Sequence, residues 1–441
     1  MIFGQHDENT LIQYEDIRSR AVKAALMADG HLGYVMPVGG VAAYDNQVSA
    51  VGVGFDIACG NCAIKTNIKI EDFTSHKVTV KDIESNLYYV TSDKKLNKLA
   101  DQIAKVISFG IGRNNLADDA PVDHELFYDP AWNIVPNIGG YRDSLRQKAR
   151  NQLGTVGSGN HYVDVFVDKE DGYLWVGVHF GSRGLGHTIA SNFLALGQGG
   201  SWGDRGKEEE VLLNISEPLG SDYWAMMELA GRYAYAGREW VARKVVSFLE
   251  GEEIDMVHNH HNFAWKETHW IDGGKKEVIV VRKGATPAFP NQRGFVGGSM
   301  GDDAVILAGT GTFYPEENEF CEIDVKYGGP DGNSPQINVD ALFSTVHGAG
   351  RVMSRTEAAG KWNKKKNIQK KKGKVTPEMM NKWLSEKGVI LRGGGLDESP
   401  HAYRRLPDVL AAQGNTIGVL NTLRPLVVVM AGANEFDPYR D

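Results

Sequence analysis

Glycine constrains this chain more than any other residue type. Fifty-two of its 441 positions are glycine, about 12% against a usual ~7%. They fall in clusters, at 39–40, 52–60, 154–159, 181–186, 297–301, 309–311, 348–350 and 393–395. Glycine is needed where the backbone takes a positive φ or must approach a ligand closely. So many clusters predict a site assembled from loops at element ends, with backbone amides offered to anions. Any one cluster alone reads as a tight turn.

The composition around those glycines is that of a packed protein. Hydrophobic residues make up 42%, charged residues 24% and aromatic residues 9%, which excludes general disorder. Length alone permits one large domain or two to three ordinary ones. No internal repeat or Pro/Ser-rich linker divides the chain, so one domain over 1–441 is expected, with a basic loop at 361–374 and a C-terminal tail at 431–441. Lys plus Arg number 48 against 56 Asp plus Glu, a net charge of −8. That balance argues against a protein that coats nucleic acid non-specifically. The island KWNKKKNIQKKKGK at 361–374 is the exception, read either as a solvated loop or as a phosphate-tracking contact. Three cysteines make no disulfide framework, the N-terminus lacks a secretory pattern, and no apolar run nears the ~20 residues of a bilayer span. The expectation is a cytoplasmic protein with no membrane partner.

Periodicity predicts mixed α and β structure, an α+β chain without regular βαβ alternation. Helices are expected over 14–29, stopped by Gly30, over 97–106, and over 221–250. In the last, Ser221 is the expected cap, and Met227, Ala230, Ala234, Val241, Val245 and Phe248 share one stripe. Gly231 and Gly237 interrupt it, at points where another element would pack close. Strands are expected at 34–43 and 48–53, joined by a turn at 45–46, and at 173–179, 278–283, 304–307 and 426–430.

Three sets of residues carry chemistry. Asp56, Cys59 and Cys62 lie in a glycine-dense loop. The CxxC reads as a redox pair, half a zinc site or small buried cysteines, but with only Cys321 elsewhere a four-thiolate zinc is excluded by count. Asp56 with Cys59 fits two ligands of one metal centre. Histidines form the second set: His161 after Asn160, His179 at the end of an apolar strand, His261, and His347 in a glycine loop. Imidazole with thiolate and carboxylate suits Mn, Fe, Co or Zn. His187, His258, His260 and His269 lack this setting and read as structural or surface residues. Arg183, Lys283, Arg351 and Arg355 are the third set. The last two are four apart, so they share a face if Gly350 opens a helix, and paired guanidiniums clamp phosphate.

In order, these segments identify a family. The chain resembles the RtcB-type RNA ligases, which act in tRNA splicing and RNA repair. It does so through DGHLGYVMPVGGVAA, GVGFDIACG, LGTVGSGNHYVDV, HFGSRGLGH, HHNFAWKE, VVRKGATPAFP, GGSMG, HGAGRVMSR, DESPHAY and LRPLVVV. The resemblance implies mixed sheets flanked by helices, with the active site in glycine-rich loops. It implies joining of an RNA 3′-phosphate or 2′,3′-cyclic phosphate to a 5′-hydroxyl, dependent on GTP and Mn²⁺. Carried over by motif, His347 is the nucleophile that takes GMP. Cys59 bridges two manganese ions, helped by Asp56, His161, His179 and His261. Asn160 and the loop Gly298, Ser299, Met300 and Gly301 hold nucleotide phosphates, and Tyr403 packs on guanine. Arg183, Lys283, Arg351 and Arg355 neutralise phosphate on nucleotide and RNA. An activating helper protein is a further candidate partner.

Three departures from the family pattern fall on nucleotide contacts. Met430-Ala431 replaces a terminal Lys-Gly pair, Asp164 stands where the family carries a guanine-binding glutamate, and Ala304 replaces a serine. They predict a relaxed or altered preference for GTP. Two other functional classes fit the same residues: a metal-dependent phosphoesterase acting on RNA ends, and a non-ligating RNA-end binding subunit using the island at 361–374.

Overall fold

The computed structural model describes residues 1–311, 314–315, 323–324, 335–363, 368–433 and 435. Cys321, the centre of the basic island and most of the tail at 431–441 lie outside the described residues. Two β-sheets, flanked by helices, meet at the functional cavity. In chain order the principal strands are β1 (Lys23–His31), β2 (Val38–Tyr44), β3 (Gly60–Lys69), β4 (Tyr162–Asp168), β5 (Tyr173–Phe180), β6 (Glu253–His260), β7 (Asn262–Ile271), β8 (Gly274–Lys283), β9 (Arg293–Val296), β10 (Ala304–Gly309), β11 (Ile390–Gly394) and β12 (Ile417–Gly432). The larger sheet runs β9-β10-β12-β4-β5-β3-β6, with β11 parallel on β12; the smaller runs β1-β2-β8-β7. This is the expected α+β class. Val163, Val165, Val167, Val176 and Val178 line one buried core with Val241 and Val245, as β-branched residues suit a pleated, covered surface.

The principal helices are α1 (Glu8–Arg20), α2 (Lys94–Val106), α3 (Arg183–Gly197), α4 (Pro218–Phe248) and α5 (Pro377–Lys387). Helix α2 confirms the expectation at 97–106 and starts earlier, because the Asp93 carboxylate accepts from the amides of Lys95 and Leu96. That cap contributes about 1 kcal/mol. Helix α4 crosses the sheet over β3 and β5. Its expected stripe is buried through Val245, with Phe248 half-buried at the end. Its cap is not Ser221: the helix opens at Pro218 after Glu217, where proline's fixed φ and missing N–H cost nothing. Gly231 is required for the close packing anticipated, since a Cβ there would lie 2.8 Å from the Phe263 ring.

The helix expected over 14–29 is corrected. It stops at Arg20, and Lys23–His31 is strand β1. Ala24 to Gly30 are all buried, which a surface helix showing one apolar face does not allow; pairing with β2 (Ala25 opposite Val41) satisfies their backbone instead. The expected strand at 34–43 is confined to Val38–Tyr44. That at 48–53 is a three-residue strand, Gln47–Ser49, followed by a helical turn, Ala50–Val53, capped by the Ser49 side chain. The described ends of the basic island form a hairpin, Gly360–Asn363 against Ile368–Lys372. Among the described residues no helix is long and apolar enough to cross a membrane.

Candidate functional site

Antiparallel pairing explains how ligands distant in sequence meet. In such a sheet the start of one strand lies beside the ends of its neighbours. Cys59 immediately precedes β3, His161 precedes β4, His179 closes β5, and His261 is the single residue joining β6 to β7. All four therefore reach one end of the larger sheet. At His261 the chain passes from one sheet into the other. The smaller sheet brings Asp29 and His31 at the end of β1 and Lys283 at the end of β8 to the same place. A cavity of about 320 Å³ opens there, lined by Asp56, Cys59, His161, His179, His261 and His347, among others.

The donor atoms are held in a defined protonation pattern. Cys59 Sγ lies 3.6 Å from Nε2 of both His161 and His179, and these three ligand atoms are mutually within 4.8 Å. His161 Nδ1 donates to the Val156 carbonyl at 2.8 Å. His179 Nδ1 is 2.5 Å from Asn61 Oδ1, and the Asn61 amide nitrogen donates to the Phe295 carbonyl. The Asn61 oxygen is thereby the acceptor and His179 Nδ1 carries the hydrogen. His179 then keeps its lone pair at Nε2. His161 Nε2 lies 3.1 Å from Asp56 Oδ2, a hydrogen-bonding and ion-pair distance. Sulfur, two imidazole nitrogens and a carboxylate oxygen thus converge on one point, a donor set that suits a divalent cation once the Cys59 thiol gives up its proton. The residues fit a metal, and Cys62, fully buried in the core, takes no part.

Electrostatics agree. Burial works to raise the Asp56 carboxyl, but the hydrogen bond and charge of His161 and the nearby Arg183 outweigh it and hold it at about 2. Burial, with Asp56 alongside, pushes the Cys59 thiol well up. Burial also pulls His179 and His261 well below the usual imidazole range, keeping both neutral as ligands must be. The His261 ring stacks on His179 at 5.0 Å and lies 4.7 Å from the His347 ring. Its buried Nδ1 has no hydrogen-bond partner.

His347 is oriented by a residue the sequence reading did not single out. Asp29 Oδ2 accepts from the backbone amides of His347 (3.1 Å) and Gly348 (3.3 Å). It also lies 2.6 Å from His347 Nδ1, an ion-pair distance at an angle short of a hydrogen bond. Nδ1 is thus the ring nitrogen against the carboxylate, and Nε2 is the one turned from it. Only the motif DGHLGY marked the segment. Glu398, inside DESPHAY, was missed likewise: it pairs with Arg351 at 3.1 Å and Arg355 at 3.3 Å and bonds the Tyr403 hydroxyl.

The remaining expected residues divide. Asn160, Asp164, Lys283, Gly298, Ser299, Met300, Arg351, Arg355 and Tyr403 line the cavity. The buried Lys283 Nζ has no hydrogen-bond partner, and burial lowers it to about 8. Asp164 is buried with Oδ1 unpartnered, and burial raises its carboxyl well above the ordinary range. Arg183 and Gly301 are not lining residues: Arg183 Nη1 sits behind His161, 3.4 Å from Nδ1. Arg351 and Arg355 do not share a helix, because the helix there begins at Arg355 behind the cap Ser354, and Arg351 bridges to Tyr403. Glu398 brings them together instead. Ala304 is packed with Phe295 and Ile306 in a small core. His260 and His269 are buried, His258 is half-buried, and His187 is half-buried against Phe55.

Comparison with known proteins gives the same family from end to end. The family described as tRNA-splicing ligase RtcB matches residues 13–321 and 332–431. The chain is 31% identical to the tRNA-splicing ligase RtcB of Archaeoglobus fulgidus, over 92% of this chain and 87% of that protein. It is 29% identical to that of Nanoarchaeum equitans, covering 97% and 93%. It is also 29% identical to the RNA-splicing ligase RtcB of Mycobacterium tuberculosis, covering 88% and 91%.

Proposed function

The chain belongs to the RtcB family of RNA ligases, and from that premise we propose that it seals RNA 3′-phosphate or 2′,3′-cyclic phosphate ends to 5′-hydroxyl ends through a nucleotidyl-His347 intermediate. The observation that carries this reading is the placement of His347. Its ring lies 4.7 Å from that of His261, beside the Cys59–His161–His179 cluster, with Nδ1 facing Asp29. An imidazole with one nitrogen fixed by a carboxylate and the other facing a cavity is an activated nucleophile.

Asp56, Cys59, His161, His179 and His261 would hold the metal, two manganese ions by family resemblance. When bound, it would neutralise phosphoryl oxygens as a Lewis acid and so lower the barrier to displacement. The rest is the work of this chain's residues. His347 Nε2 attacks the α-phosphorus of GTP; a nitrogen–phosphorus bond forms and the bond to pyrophosphate breaks. An oxygen of the RNA 3′-phosphate then displaces the imidazole, leaving a diphosphate-linked nucleotide on the RNA end. Finally the 5′-hydroxyl oxygen attacks the 3′-phosphorus, loses its proton, and GMP departs; a cyclic end is first opened by water. Lys283, Arg351 and Arg355 neutralise the phosphates, with Asn160 and the Gly298–Ser299–Met300 loop beside them.

We further propose that base preference is relaxed relative to a strict GTP enzyme. Asp164, desolvated and with Oδ1 unpartnered, shares its sheet face with the apolar Val428 and Met430. A protonated carboxyl both donates and accepts, and so discriminates base edges less than a carboxylate does. The test is incubation with Mn²⁺ and each labelled nucleoside triphosphate. A mass increment of one nucleotide on His347, lost in His347→Ala, is expected. Nucleotide-free sealing would overturn the mechanism, and labelling by GTP alone would overturn the relaxed preference.

A further inference from the structure

We propose that Arg238 is a positioning residue that locks the ligand-bearing ends of β3, β5 and β6 in place for metal binding. This inference rests on the metal centre described above. Arg238 lies on α4, is fully buried, and no carboxylate hydrogen-bonds it among the described residues. Its guanidinium reaches four acceptors. Nη1 donates to the Ala58 carbonyl at 2.8 Å and the Phe180 carbonyl at 2.6 Å. Nη2 donates to His260 Nδ1 at 2.9 Å and Nε to His258 Nε2 at 2.8 Å.

The sequence neighbours of these acceptors define the role. Ala58 precedes Cys59, Phe180 follows His179, and His260 precedes His261. One planar fork therefore grips three strand ends, each one residue from a candidate ligand. The strand register places the same residues in a row, with Gly60 paired to Phe180 on one side and His260 on the other. Gly60 leaves room for the fork: a Cβ there would lie 3.0 Å from both Cζ and Nη1 of Arg238. The Tyr235 ring packs under the guanidinium at 5.3 Å and against the His260 ring at 3.9 Å.

Packing alone does not require this arrangement. A buried guanidinium without a carboxylate carries a desolvation penalty that an apolar residue of similar size does not. Five fixed donors in one plane do what an apolar residue does not: they set the distances between three backbone segments at once. The positive charge also lies behind the Asp56 carboxylate and the Cys59 sulfur, both within its electrostatic reach. Partners of this kind, one step behind the ligands, commonly govern metal affinity.

The experiment is a Co²⁺ titration of the full chain, reading the visible ligand-field bands and the near-ultraviolet thiolate-to-cobalt band. Wild type is expected to show both. Arg238→Lys keeps the charge but offers a point donor in place of the fork. It is expected to bind Co²⁺ about 10- to 100-fold more weakly, with shifted ligand-field bands and an unchanged far-ultraviolet spectrum. Simple loss of stability would not move the bands of the folded, cobalt-loaded protein. If Arg238→Lys does not fold, His258→Phe removes one prop and leaves both carbonyl bonds; a loss of about threefold to tenfold is expected. Binding within twofold of wild type and superimposable bands, in whichever variant folds, would overturn the role. Absence of the thiolate band in wild type would instead overturn the metal centre itself.

Discussion

The two halves of the cavity are built on opposite plans. The candidate metal half consists of strand ends, and its two imidazoles nearest Cys59 are each fixed from behind: His161 by Val156, His179 by Asn61. The half proposed to take the nucleotide is built largely from loops whose guanidiniums are already paired. Arg351 and Arg355 share Glu398, while Arg405, Lys387 and Ser299 converge on Asp302. A cation entering the first half finds its donors already gathered and displaces only the proton of the Cys59 thiol. A phosphate entering the second must displace a carboxylate from its guanidinium. Preorganisation belongs to the metal end and exchange of partners to the phosphate end.

The largest expected effect tests the metal end. Cys59 is the atom common to both imidazole contacts, so Cys59→Ala is expected to abolish the thiolate band with Co²⁺ and reduce nucleotidylation to background. Retention of labelling within tenfold of wild type would remove the thiolate from the mechanism. Next is Asp29→Asn, which preserves size but withdraws charge from His347 Nδ1. By analogy with other carboxylate–imidazole pairs, a loss of about 10²- to 10⁴-fold in the labelling rate is expected, with KM for the nucleotide unchanged. A rise in KM alone would show that Asp29 only shapes the loop.

The metal end also predicts acid sensitivity of the metal-free protein. Burial holds His179, His258, His260 and His261 well below 6.5. In the unfolded chain these rings titrate near 6.5. Below that pH the unfolded state binds more protons, so stability present above 6.5 is lost as pH falls, by up to about 1.4 kcal/mol per imidazole per unit. Urea unfolding of the metal-free chain at pH 7.5 and 5.5 measures it. A flat profile would mean that these rings are protonated or solvated in the folded state.

At the phosphate end, Glu398→Gln releases Arg351 and Arg355 from a competing carboxylate. Nucleotide binding is expected to tighten about threefold to tenfold, because each guanidinium no longer gives up a charge-assisted bond. Weaker binding would show that Glu398 instead holds Tyr403 in a geometry the ligand needs.

This contrast also explains what the sequence disclosed. The candidate metal end was legible because Cys or His beside a strand terminus is a local pattern, and four such residues, Cys59, His161, His179 and His261, coincide there. The body of helix α2 was legible too, but its first turn and its Asp93 cap were not. Strand β1 was not: its run of small apolar residues reads as helix, and only β2, supplying partners on its buried edge, decides otherwise. Asp29, Glu398 and Arg238 escaped because their roles lie in contacts across long separations; the His347 amide that Asp29 accepts from is 318 residues away. No window of sequence contains such a pair.

The smallest expected effect concerns the base. Asp164 opposes Val428 on β12, with Met430 one diagonal step away on the same face, and all three line the cavity. In Met430→Lys an ammonium would share that face with the buried carboxyl. A nearby cation favours the ionised form and lowers the raised Asp164 pKa. An ionised carboxylate only accepts, and guanine presents two N–H donors on one edge where adenine presents a donor and an acceptor. The ratio of His347 labelling by GTP to that by ATP is therefore expected to rise about threefold to tenfold, the worth of one buried hydrogen bond. An unchanged ratio, with both rates intact, would show that Asp164 does not face the base and that selectivity at the phosphate end resides in the loops.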